Sequence, residues 1–206
     1  MDINRDIRFI IHPFTGERPT RWEEIPRLME HHRLYHSLED ILKNHRECIP
    51  EEVKKQLTST YRGRLRSQLK TGSELLRINE ALQRQDLPFL NLKGLALSQE
   101  LYGNITDRLT QDIDLLIHPG DTRRALEIMQ DLGYSPIRSE KKTDPQQFQR
   151  VKKNYTLIHP GKRVVCELHW QLFSNPYLCP QTKIWWENPS VVTLEDQPLP
   201  VMNREN

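Results

Sequence analysis

Asp112 and Asp114 open the run Asp112-Ile113-Asp114-Leu115-Leu116-Ile117, and their type and spacing point to chemistry. In an extended strand alternate side chains share a face, so the two carboxylates point the same way. Carboxylates so close repel each other unless a cation lies between them, and a divalent metal carrying a nucleoside triphosphate is a natural tenant. The chemistry expected of such a pair is metal-dependent nucleotidyl transfer, in which the ion neutralises charge on the transferring phosphoryl group. Aspartate is disfavoured within strands, so two on one face ahead of three aliphatics need an explanation. The competing reading has Asp112 capping the strand and Asp114 in a surface ion pair.

Glu167 is the candidate third carboxylate. It lies in Val164-Val165-Cys166-Glu167-Leu168-His169-Trp170, where Val165, Glu167 and His169 share one face. An acid inside a β-branched run is unexpected for a buried strand. If this strand pairs beside the Asp112 strand, three carboxylates converge, enough to hold a metal and help activate an acceptor hydroxyl. The alternative is an edge strand with Glu167 and His169 facing solvent. Upstream, Gly94 permits a tight turn and close approach of the backbone to a phosphate, and the helix start behind it offers free N–H groups. Lys93 adds a point charge for a triphosphate, and Arg108 is a further candidate phosphate contact; the plainer reading of both is a solvated cation.

The elements that must position these residues follow from periodicity. Trp22, Ile25, Leu28 and Met29 recur at helical spacing, continued by Leu34, Leu38, Ile41 and Leu42. A second helix is predicted from Ile49-Pro50-Glu51-Glu52, where proline and acids suit a first turn. It carries the stripe Val53, Leu57, Tyr61, Leu65, Leu69, Leu76 and Ile78, crosses Gly63 and Gly72, reaches Arg84 and ends at Asp86-Leu87-Pro88.

The texture then changes. A short strand from Phe89 to Leu92 meets the Lys93-Gly94 turn, and a helix with Leu95, Leu97, Leu101 and Tyr102 breaks at Gly103-Asn104. The Asp112–Ile117 strand follows. His118-Pro119-Gly120-Asp121 then leads into a helix with Ala125, Leu126, Met129 and Leu132 on one face, closed by Gly133. Lys141 to Pro145 reads as loop. Tyr155–Ile158 and Arg163–Trp170 read as a hairpin turning at His159-Pro160-Gly161-Lys162. Val191–Leu194 and Leu199–Val201 supply another strand or two. No closing helix follows Met202, so the natural protein, or its family, is expected to continue further.

Among the remaining features, His32 and His36 lie one helical turn apart but lack an evident third ligand. Lys54, Lys55, Arg62, Arg64, Arg66 and Lys70 make a basic helix face, read as solvated rather than as a polyanion site. Trp185 and Trp186 read as packing residues.

Composition bounds the classes. The chain has 206 residues, enough to bury a core as one domain or two small ones, and reads as soluble and globular. Its formal charge of +2 is too small to argue for nucleic acid. Met1-Asp2-Ile3-Asn4-Arg5-Asp6 lacks a signal-peptide core, and no apolar run approaches membrane-spanning length. Three cysteines, Cys48, Cys166 and Cys179, form no Cys-x-x-Cys pair; a cytoplasmic location is expected, with no disulfide framework or structural zinc.

Leu92-Lys93-Gly94, Leu101-Tyr102-Gly103, Arg108, the Asp112–Ile117 run, Ala125, Leu126, Gly133-Tyr134 and Glu167-Leu168-His169-Trp170 together resemble an uncharacterised bacterial nucleotidyltransferase-like family of the DNA polymerase β-type nucleotidyltransferase superfamily. The resemblance extends from Trp22 to Trp170. It implies an α/β (α+β) fold: a mixed sheet flanked by helices, with a helical N-terminal region over 1–86 packed on a core over 87–206. It implies transfer of a nucleoside monophosphate from an NTP, ATP among the choices, to an unknown acceptor that is a small molecule, peptide, protein or RNA. Mg2+ or Mn2+ would be held by Asp112, Asp114 and Glu167, the catalytic carboxylates, with Lys93, Gly94 and Arg108 on the phosphates. Two departures are visible. The wider superfamily has Gly-Ser at the turn, whereas Gly94 is followed by Leu95, and the third acid is Glu rather than the commoner Asp. The rival readings are a nucleotide- or partner-binding module of the same fold without turnover, and a toxin–antitoxin-like nucleic-acid-associated protein.

Overall fold

The computed structural model describes residues 3–13, 19, 21–32, 34–35, 37–106, 108, 110–137, 145–173 and 184–203. Two compact units divide it, Met1–Ser67 and Gln68–Asn206. Helix α4, Glu51–Arg84, runs through the division.

The first unit is helical, with α1 Ile3–Ile11, α2 Ile25–His32, α3 Leu38–Asn44 and the opening turns of α4. Phe9, Ile10, Ile25, Met29, Leu38, Ile41 and Leu57 are fully buried. Phe9 meets Trp22 and His45 edge-on, with ring centroids 5.4 and 5.0 Å away. The helical run predicted from Trp22 to Leu42 is divided, into a 3-10 turn at Trp22–Glu24 and the helices α2 and α3, and α1 is an addition that its short apolar run did not announce.

Helix α4 has its predicted bounds, but one part of the predicted stripe is corrected. Leu69 is 54% exposed, whereas Gln68, Thr71, Leu75, Ile78 and Leu82 are buried. Each step of four residues advances about 40° beyond a full turn of helix, so the series Val53, Leu57, Tyr61, Leu65, Leu69 drifts off the buried face. Steps alternating between three and four keep to it, and these select the polar Gln68 and Thr71.

The second unit is built on a seven-stranded mixed sheet of order β3-β4-β5-β2-β1-β7-β6. Its strands are β1 Phe89–Asn91, β2 Asp112–Ile117, β3 Ser135–Pro136, β4 Asn154–His159, β5 Val164–His169, β6 Ser190–Leu194 and β7 Gln197–Val201. The pairs β2–β5 and β1–β7 are parallel, and the other pairings are antiparallel. Helices α5 Leu95–Tyr102, α6 Thr122–Asp131, α7 Pro145–Val151 and α8 Ile184–Glu187 complete the unit. Of the stretch expected as loop, 141–144 lies outside the described residues and Pro145 opens α7.

The alternation of β2 and β5 sets the two faces of the sheet. Ile113, Leu115, Ile117, Val164, Cys166, Leu168 and Trp170 lie in the main core, together with Leu75, Ile78 and Leu82 of α4 and Ala125 and Met129 of α6. A smaller cluster of Leu90, Leu116 and Trp185 is separate from it. A reciprocal amide pair, Asn79 and Asn91, joins α4 to β1, and the Asn91 amide also donates to the Pro200 carbonyl of β7 at 2.9 Å. Two residues beyond the end of α6, Gly133 has a φ of +87°, which suits glycine. Among the described residues no helix is long and apolar enough to cross a membrane.

Candidate active site

Strand β5 is an interior strand, flanked by β4 and β2, so the edge-strand alternative is overturned; His169 is buried and Glu167 partly exposed. In the parallel register Asp112 pairs with Val165, Asp114 with Glu167 and Leu116 with His169. Strand alternation therefore sets Asp112, Asp114, Glu167 and His169 on one face, opposite Cys166 and Leu168.

Asp114 is 2% exposed and His169 3%. The Asp114 Oδ1 atom accepts from Lys93 Nζ at 3.1 Å and lies 3.1 Å from His169 Nε2. That same imidazole nitrogen lies 3.1 Å from Glu167 Oε2. It thus faces two carboxylates. Asp114 Oδ2 and His169 Nδ1 are buried with no hydrogen-bond partner among the described residues, an arrangement that costs free energy unless something else engages the group.

One ligand atom each from Asp114, Glu167 and His169 lies within 4.8 Å of the others. Mg2+ and Mn2+ prefer oxygen donors, which Asp114 and Glu167 supply, and the unpartnered Asp114 Oδ2 is a free ligand atom there; an imidazole suits softer ions better, so His169 borders the pair. The two carboxylates fit Mg2+ or Mn2+.

Charge around Asp114 is balanced by opposing effects. Burial raises its carboxyl, but hydrogen bonds from His169 and Lys93 outweigh burial and hold it below the ordinary aspartate value. Burial lowers the Lys93 ammonium, yet the bond to Asp114 and the charges of Asp112 and Glu167 leave it raised. Lys93 is therefore a firm cation at the site. Burial pushes the Cys166 thiol well above its ordinary value, and the carboxylates on the other face of the strand add to this, so it is an inert core thiol.

Asp112 is half-buried and lies outside the three-residue cluster. Thr110 Oγ1 lies 3.1 Å from the Asp112 carbonyl and 3.3 Å from its Oδ1, so the hydroxyl can donate to either. Gly94 is wedged against the same place. Its φ is +68°, and a Cβ there would sit 3.2 Å from Thr110 Oγ1 and 3.5 Å from the Asp112 carbonyl oxygen. Glycine is required by conformation and by space. The N-cap of α5 is Gly94, which brings no capping side chain, and the helix N-terminus opens directly behind it. Arg108 is exposed, while its backbone is anchored: its N–H donates to Ser98 Oγ at 3.1 Å and its carbonyl accepts from Gln68 Nε2 at 2.8 Å.

Sequence reasoning missed two contributors. His169 was legible from its strand parity with Glu167. Gln68 was legible only from its helical phase. Its amide donates to the carbonyls of Ile105 and Arg108 and accepts from the Thr110 N–H, binding the loop that leads into Asp112. Of the other candidates, His36 and Cys179 lie outside the described residues. Trp185 is buried as expected, and Trp186 stacks on His118.

This face carries clustered acids beside a glycine-hinged helix start, an arrangement suited to polyphosphate chemistry. The chain belongs to the family described as uncharacterised nucleotidyltransferase, whose model matches residues 18–206. Among solved structures it is similar to the lincosamide antibiotic adenylyltransferase LnuA in its lincomycin-bound form. The two are 17% identical, with 65% of this chain and 80% of that one covered and a TM-score of 0.45. It is similar also to an antigenic nucleotidyltransferase-like protein from Paracoccidioides brasiliensis, at 18% identity, 66% and 62% coverage and a TM-score of 0.43. No curated protein matches the chain.

Proposed function

We propose that this protein is a metal-dependent nucleotidyltransferase that moves a nucleoside monophosphate from an NTP to an acceptor hydroxyl. The observation that carries the reading is the register pairing of Asp114 with Glu167, which closes a buried acidic cluster with His169 next to the free N-terminus of α5. In this reading residues 87–206 carry the chemistry and 1–86 form the accessory helical region.

Asp114 and Glu167, supported by Asp112 and bordered by His169, would hold Mg2+ or Mn2+. When bound, such an ion neutralises phosphate charge and makes a coordinated hydroxyl more acidic. Lys93 and the N–H groups behind Gly94 bind the β- and γ-phosphates, with Arg108 within the same loop system. Glu167, half-buried at the mouth of the cluster, takes the acceptor proton. The acceptor oxygen forms a bond to the α-phosphorus, the bond from that phosphorus to the bridging oxygen breaks, and pyrophosphate leaves with the electron pair toward Lys93.

Calorimetry with each NTP, with and without Mg2+, tests this on the wild type and on Asp112→Asn/Asp114→Asn. The expected result is Mg2+-dependent binding that disappears in the folded double variant. Binding unchanged by the double substitution would overturn the site. One observation favours a second reading, a nucleotide-binding module without turnover: Leu95 stands where the superfamily has a phosphate-contacting serine. Tight NTP binding with no product from any acceptor would select it.

A further inference from the structure

Beyond the C-terminal ends of β2 and β5 lies a cleft of about 610 Å³ whose walls include Leu116, His118, Trp170, Trp185, Trp186 and Glu187. Leu116 is two residues past Asp114 on the same strand face and is the register partner of His169. The cleft thus begins about 7 Å along the strand from the acidic cluster. Its walls are largely aromatic. Trp185 is buried in a cluster with Leu90 and Leu116, and Trp186 stacks on His118 with ring centroids 3.8 Å apart. The Trp170 Nε1–H is buried and has no partner among the described residues. Aromatic walls with few polar groups suit a small molecule.

The direction of attack assigns the cleft. Gly94 and the start of α5 lie at the other end of β2, against Asp112, and Lys93 reaches from that turn to Asp114. An in-line displacement brings the attacking oxygen from the side opposite the leaving group. With pyrophosphate on the Lys93 side, the acceptor enters from the cleft and meets Glu167 and His169. The charge of the walls restricts that acceptor. Among the described residues of the lining, Glu187 is the one formally charged side chain, and no lysine or arginine takes part. Such walls do not suit a polyanion, and an indole face attracts cations.

Building on the nucleotidyltransferase reading, we propose that this cleft binds the acceptor, and that the acceptor is a small ring-bearing alcohol with a protonated amine. Its ring lies against Trp185 and Trp186, its amine is answered by Glu187, and its hydroxyl is presented to Glu167. The hydroxyl proton passes to Glu167, the oxygen takes the nucleoside monophosphate from the NTP, and pyrophosphate departs.

The test uses the full chain and two probes that share a phenol and differ in charge, tyramine and 4-hydroxyphenylacetate, titrated by intrinsic tryptophan fluorescence. Tyramine is expected to bind about tenfold more tightly than the acid, roughly the size of one cation–aromatic contact. Trp186→Ala is expected to weaken tyramine by a similar factor, and Glu187→Gln, an exposed and isosteric change, to erase the preference. Mn2+ and NTP binding are expected to be unchanged in both variants. Equal or reversed preference, no binding of either probe, or insensitivity to both substitutions overturns the proposal while leaving the metal site standing. Displacement of tyramine by an NTP overturns it too, by making the cleft a nucleobase site. Normal tyramine binding with no Mn2+ or NTP binding instead sinks the nucleotidyltransferase reading on which the proposal rests.

Discussion

Asp114 and Glu167 are register partners on neighbouring parallel strands, and a single imidazole nitrogen, His169 Nε2, stands 3.1 Å from a carboxylate oxygen of each. Two acids so placed are held by a neighbouring cation, a shared proton or a metal. Lys93 supplies a cation to one oxygen of Asp114, while the buried Oδ2 lacks a protein partner among the described residues.

Asp114→Asn keeps the side-chain shape and removes the charge. Transfer is expected to fall by about 10²–10³-fold, as when one stabilising group is lost from a transition state, while circular dichroism stays that of the wild type. Undiminished transfer in this variant would remove the mechanism.

His169→Gln tests whether the imidazole is a ligand or a packing residue. As a ligand or its close support it is expected to contribute about 10–100-fold to Mn2+ affinity. Calorimetric titration with Mn2+ is the measurement; an affinity equal to that of the wild type assigns His169 to packing alone.

Gly94→Ala places a Cβ at a left-handed φ and against the Thr110 hydroxyl. The backbone there, at φ +68° and ψ −130°, is kept essentially for glycine and costs an L residue about 1–3 kcal/mol, so the denaturation midpoint is expected to drop. NTP binding should weaken in the same variant, because the α5 N-terminus shifts relative to Asp112. A variant with full stability and full NTP affinity would contradict the assignment of this turn to phosphate.

Glu74 provides the pH dependence. It is buried in α4 and bonded by Arg77 at 2.7 Å, by Tyr134 at 3.1 Å and by Lys162. Burial raises its carboxyl, but the bonds from Arg77 and Lys162 outweigh it and leave the group below its ordinary value of 4.5. A carboxyl lowered on folding adds stability that is fully present above the unfolded value and is lost as the pH falls through the folded one. Glu74→Gln is therefore expected to cost roughly 1–3 kcal/mol near neutral pH. The gap to the wild type should narrow on acidification below about pH 4. Thermal melts across that range check it, and a gap that stays constant would show that the ion pairs contribute nothing.

Gln68→Met replaces the buried amide by an apolar side chain of similar length and strands the carbonyls of Ile105 and Arg108 and the Thr110 N–H. Each lost partner leaves a polar group costing roughly 1–3 kcal/mol if it stays buried. Hydrogen exchange over residues 103–111 is expected to accelerate, with the β2 and β5 amides unaffected. Unchanged exchange in that loop would mean the amide does not hold it.

The sequence by itself determined the elements that carry the chemistry. Period-two alternation in Asp112–Ile117 and Val164–His169 fixed which residues share a face, because side-chain direction in a strand is local geometry. The same locality made the bounds of α4, the Lys93-Gly94 turn and the hairpin before Val164 legible. Local signals were weak for the two-residue β3 and the four-residue α8, too short to carry a period.

Tertiary structure alone decided what those faces meet. Nothing in either strand says that β5 lies beside β2 in parallel, in the register that sets Glu167 against Asp114 rather than Asp112; a shift of one residue would have turned Glu167 into the core. Nor does the helical period say that Gln68, not Leu69, faces inward, since that depends on which carbonyls the loop before Asp112 leaves to be satisfied. Residue types and their parity are written along the chain, whereas the pairing of distant segments is settled by the burial and hydrogen bonding of the whole sheet.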